Sequence, residues 1–166
     1  MDLTTTFIGL GLVVLSALPF IYFYYAGQAK TKAFIADFMA LARQQSATIS
    51  QYEVWGYYTA LGIDARTNQL FYYRKREGRE KKSLINLSEV EKCRVVISKK
   101  ALNEDQVIDR IELALSLRNG RQADETLLFY SREDSMSLSD ELMLVEKWKV
   151  LISAQLDSRR KLAAAS

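Results

Sequence analysis

The stretch IDRIELALSLR, residues 108–118, decides the fold class. Ile111, Leu113, Leu115 and Leu117 alternate with Glu112, Ala114, Ser116 and Arg118. Successive side chains of a strand point to opposite faces, so this alternation predicts a sheet with one buried and one wet face.

Reading outward toward the N-terminus, Cys93–Ser98 predicts another strand, with Cys93, Val95 and Ile97 on one face, and Ser83–Leu87 a further one. Residues 52–63, YEVWGYYTALGI, are rich in aromatic and β-branched residues and read as one long strand. Gly56 and Gly62 inside it imply a bend or a close approach. Residues 64–68, DARTN, are turn material, and 69–75, QLFYYRK, complete a hairpin. Toward the C-terminus, Asn119-Gly120 is a turn signal and Leu127–Tyr130 the last strand. A helix follows from about Leu138 to Leu156 or beyond, with Ser137 and Asp140 as its start signal. Leu142, Val145, Trp148, Ile152 and Leu156 form its apolar stripe, read as core, and Glu141, Lys147 and Lys149 its polar side.

At the N-terminus, Leu3–Ala29 carries no charged residue. About 20 apolar residues cross the hydrocarbon core of a bilayer, so the expectation is a transmembrane helix over residues 1–29. Lys30, Lys32 and Arg43 lie on its C-terminal side. The positive-inside rule then makes this a single-pass inner-membrane protein, N-terminus outside and C-terminal domain cytoplasmic. Residues 30–50 read as a juxtamembrane amphipathic helix, with Phe34, Phe38, Leu41 and Ala42 at helical spacing. That face must be covered by the domain, a partner or the headgroup layer. Phe34, Phe38 and Leu41 are therefore candidate partner-binding residues. The cytoplasmic domain spans 51–160, and 161–166 read as a disordered tail or a cloning scar.

Composition narrows the function. The chain has 166 residues, no His, one Cys and a net charge of +3. Without His, His-based general-base catalysis and His-ligated metals are excluded. One Cys forms no internal disulfide, and Cys93 reads as a buried small hydrophobe. No nucleophile motif is present, so the expectation is a protein that is not an enzyme and takes no cofactor or metal. A net charge this small does not argue for nucleic acid. The most distinctive polar feature is Arg74-Lys75-Arg76-Glu77-Gly78-Arg79-Glu80-Lys81-Lys82, with six basic and two acidic residues. Arg74, Lys75, Arg76, Arg79, Lys81 and Lys82 are candidates for contact with lipid headgroups or an acidic partner, against a solvated hairpin tip. Glu104, Asp105 and Asp109 form a small acidic group without the spacing of a calcium loop.

The order of elements resembles the pleckstrin-homology-like superfold, and particularly small bacterial membrane proteins with such a domain behind a transmembrane helix. The residues that carry the likeness are WGYYTALGIDARTNQLFYY (55–73), SLINLSEVEKCRVVI (83–97) and the helix with Trp148 in its stripe. The resemblance implies an α+β fold: an antiparallel barrel or sandwich of about six to seven strands, capped by a C-terminal helix. It also implies a binding or scaffolding module rather than a catalyst. In such domains an early hairpin loop is basic and touches lipid headgroups, whereas here the basic tract follows the second strand. The expected function is a membrane-anchored scaffold or accessory subunit binding a protein partner. Anionic-lipid recognition through residues 74–82 is the alternative, and self-association stays open.

Overall fold

The computed structural model describes residues 29–102, 105–118 and 124–164. Helix α1 covers residues 29–44. Seven strands follow: β1 (Gln51–Trp55), β2 (Thr59–Asp64), β3 (Gln69–Arg76), β4 (Arg79–Asn86), β5 (Val90–Leu102), β6 (Asp105–Leu117) and β7 (Glu125–Ser131). A 3-10 turn, Leu87–Glu89, separates β4 from β5, and helix α2 (Glu141–Ala164) closes the order. All described pairings are antiparallel, in two sheets: β1-β2-β3-β4 and β5-β6-β7.

The two-residue period of the strands builds two cores. Leu61, Ile63, Leu70 and Tyr72 of the first sheet face inward, toward Ile111, Leu113, Leu115 and Leu127 of the second. Val145, Trp148, Ile152 and Leu156 of α2 complete that cluster. The alternate residues of the first sheet, Ala60, Phe71 and Tyr73, point the other way and bury Phe34, Phe38 and Ala42 of α1. Every residue of β2 is buried because both faces of the sheet are covered. Gly62 is what lets α1 sit so close. A Cβ there would stand 2.8 Å from the tip of the Phe38 ring.

Local chemistry sets the joints. α1 ends in a Schellman motif: Ser46 is left-handed, and Ala47 N–H donates to the Ala42 carbonyl at 3.1 Å. Thr48 N–H then donates to the Asp64 carboxylate, which also accepts from Arg66 and Thr67. Gly56 and Tyr57 are both left-handed, as are Glu77 and Gly78, the pattern of tight turns that match strand twist. At α2, Leu144 N–H donates to the Asp140 carbonyl, and the Ser139 N–H is held by the Glu141 carboxylate.

Several expectations require correction. Among the described residues the fold is not a closed barrel but two open sheets, of four and three strands, with two helices. Among the described residues no helix is long and apolar enough to cross a membrane. The transmembrane and single-pass inner-membrane assignments are not supported, and the run that prompted them, 3–29, falls almost wholly outside the described residues. Asn103, Glu104, Asn119 and Gly120 also lie outside them, as do the side chains of the last residues. The segment 52–63 is two strands rather than one, because Gly56-Tyr57 folds the chain back on itself. The C-terminal helix starts at Glu141 rather than near Leu138, since Ser135 and Ser137 bond each other in a local turn instead of opening the helix. Leu142, placed in its buried stripe, is 38% exposed.

Candidate functional site

The basic tract folds into the hairpin joining β3 and β4. Across that ladder Arg74 faces Lys81 and Arg76 faces Arg79, two like-charged pairs that repel. Asp134, in the turn after β7, answers this repulsion. Its carboxylate pairs with Arg74 and, at 2.9 Å, with Arg76. The Tyr58 ring lies 5.0 Å from the Arg76 guanidinium and 5.7 Å from that of Arg74. Lys75 reaches Asp37 of α1 at 3.0 Å, a bond that raises its pKa. Lys82 bonds Glu80 at 3.1 Å, and Glu80 also accepts from the Tyr73 hydroxyl, so its carboxyl titrates lower than usual. Lys81 donates to the Thr126 carbonyl at 3.0 Å. Of the six basic side chains, only that of Arg79 has no partner among the described residues. The tract ties the first sheet to α1 and to β7 rather than presenting a free cationic surface.

The other candidates sit inside the fold. Phe34 and Phe38 are buried against the first sheet, with Phe34 stacked on Tyr73 at 5.1 Å between centroids. Leu41 packs, partly buried, on the same cluster. Among the described residues no group of three or more His, Cys, Asp and Glu side chains could hold a metal ion.

The sheet edges differ sharply in what covers them. β7 faces the first sheet, and its carbonyls are already used. Lys81, Tyr72 and Trp55 donate to Thr126, Leu128 and Phe129 respectively, each near 2.9–3.0 Å. The Trp55 ring also stacks on Phe129 at 4.6 Å. β1 is a five-residue edge and β4 an eight-residue one. β5 is different: it is 13 residues long and, among the described residues, forms the outer strand of its sheet and pairs only with β6. Since β7 pairs only with Arg110–Leu115, the end of the β5–β6 hairpin, Lys99–Leu102 against Asp105–Ile108, projects as two strands.

Beside β5 runs a groove of about 550 Å³ between the strand and α2. Cys93 and Leu156 supply its apolar lining, Ser116 and Ser153 its hydroxyls, and Lys92, Arg94, Glu91 and Asp157 its charges. Burial pushes the Cys93 thiol up to about 12, which leaves it un-ionised at neutral pH and unsuited to nucleophilic work. The charges of Lys149 and Glu146 on α2 also act on it. Ser153, Leu156 and Asp157 form the helical wall of the groove. Ile97, farther along the strand, is 42% exposed.

Sequence reasoning missed this site. It recognised only Cys93–Ser98 of the strand, since bulges at Val90/Lys92 and Ser98/Lys99 break the alternation at both ends. The signal that was present is the spacing of Lys92, Arg94, Lys99 and Lys100, the charges by which natural edge strands resist indiscriminate pairing. Comparison of the chain with protein-family models, with curated proteins and with solved structures gives no match.

Proposed function

We propose that this chain is a protein-binding module that takes up an extended segment of a partner along the outer edge of β5, beside α2. One observation carries the reading: a 13-residue strand, at the edge of its sheet among the described residues, lies next to an open groove whose helical wall is Ser153, Leu156 and Asp157. Edge strands present a row of main-chain donors and acceptors that template another chain. A peptide that adds there gains affinity from those bonds, and the groove between strand and helix reads its alternate side chains. The resemblance to the pleckstrin-homology-like superfold contributes element order alone to this reading. Lipid recognition by residues 74–82 is the weaker reading, because five of the six cations there already have partners within the fold.

A pair of proline variants tests the proposal. In an antiparallel ladder neighbouring residues alternate between bonding the partner strand and pointing outward. Val95 and Val96 lie in the regular part of β5, opposite Leu113 and Glu112. One of Val95→Pro and Val96→Pro therefore breaks the β6 ladder and lowers stability. The other leaves the fold intact and removes an outward donor. Peptides selected on the full chain should lose binding to that second, folded variant. Undiminished binding to it would refute strand addition.

A further inference from the structure

We infer that the segment seated on β5 is an amphipathic strand, apolar on the face toward α2 and acidic on the face away from it. The inference rests on the strand-addition reading and adds the chemistry of the partner. It follows from what lies on each side of the edge. On one face of β5, Cys93, Val95 and Ile97 stand opposite the buried Leu115, Leu113 and Ile111. Leu156 of α2, which lines the groove, belongs to the core cluster that Cys93 and Val95 pack against. On the other face, Lys92, Arg94, Val96 and Ser98 stand opposite Ser116, Ala114, Glu112 and Arg110.

Side chains of an added strand keep the same two-residue period and sit beside their cross-strand neighbours. One set of its residues must then lie against Cys93, Val95 and Ile97, where apolar groups recover area now left in water. The other set lies beside Lys92 and Arg94. Arg94 is held by Asp124 at 2.8 Å but stays 64% exposed, so it can accept a second carboxylate. Lys92 has no carboxylate partner among the described residues. Lys99 and Lys100 add two more cations on the projecting end, one on each face of the strand.

The same charges argue against a second copy of this chain as the occupant. β5 carries four cations, Lys92, Arg94, Lys99 and Lys100, against one carboxylate, Glu91. Edge-to-edge pairing of two copies would bring like charges together, which disfavours it.

Three blocked nine-residue peptides serve as probes, each with Val at alternate positions and with Glu, Ser or Lys between. Binding to the full chain is measured by fluorescence anisotropy at low and high salt, with amide chemical shifts to locate the peptide. The Glu peptide should bind along β5 at least about fivefold more tightly than the Ser peptide, the effect expected of one or two opposite-charge cross-strand pairs. Its advantage should shrink with salt and disappear in Lys92→Glu, which should favour the Lys peptide instead. Equal binding of the Glu and Ser peptides along β5 would overturn the acidic assignment and leave strand addition standing. Failure of all three to shift β5 amides would overturn both. A concentration-dependent dimer with protected β5 amides and no peptide binding would make the occupant a second copy and overturn the inference.

Discussion

At the scale of single residues, Asp64 shows how a side chain can be legible in type and hidden in role. Its place in the run DARTN marks a turn, and the turn is there. What local sequence does not carry is that Thr48, sixteen positions earlier, donates to the same carboxylate. Burial on its own would raise the pKa of this group. The backbone N–H groups of Thr48, Thr67 and Arg66 outweigh that and hold it below its ordinary value of 3.8. A carboxyl with a depressed native pKa stabilises the fold fully above its unfolded pKa and loses that contribution as pH falls through the native one. Urea denaturation should therefore show stability falling as pH drops below about 4, with Asp64→Asn less stable at neutral pH and shallower in its acid dependence. An unchanged acid slope in that variant would show that the three bonds do not bias its ionisation. Cys93 was readable as a small hydrophobe from its alternation with Val95 and Ile97, and it packs against the main core.

At the scale of elements, period and composition revealed most strands but not their joints. β6 was plain because the buried Ile111, Leu113 and Leu115 alternate with the half-buried Glu112 and Ser116, although Ala114 between them is buried rather than wet. β1 and β2 merged in the reading because Gly56-Tyr57 is an uncommon tight turn, and a left-handed Tyr is not foreseen by residue preference. β2 offered no alternation to read, since α1 covers one of its faces and the main core the other. The fit of α1 on the first sheet turns on Gly62. Gly62→Ala places a methyl 2.8 Å from Phe38 and 3.0 Å from Ile49, so it should cost about 1–3 kcal/mol. Phe38→Leu removes the ring tip, and in its background the same Gly62→Ala change should cost distinctly less in a double-mutant cycle followed by thermal denaturation. Additive costs would mean that α1 does not rest on that glycine as described.

At the scale of the whole molecule, the arrangement separates structural charge from available charge. The basic tract, conspicuous in sequence, ties β3 and β4 to α1 and to β7. The edge of β5, inconspicuous in sequence, is left open. Which strand ends a sheet depends on non-local pairing order, and no local pattern encodes it. The order of strands before a C-terminal helix was legible; the closure of the sheets and the membrane placement drawn from the N-terminal run were not supported. If β5 is an acceptor edge for another strand, amide hydrogen exchange on the full chain, with and without the Val/Glu peptide at saturation, will register it. Alternate amides between Lys92 and Ser98, those pointing away from β6, should exchange quickly in the free protein. They should become protected about tenfold or more when the peptide is bound. Protection that appears on β4 or the 74–82 hairpin instead, with the β5 amides unchanged, would contradict strand addition to β5.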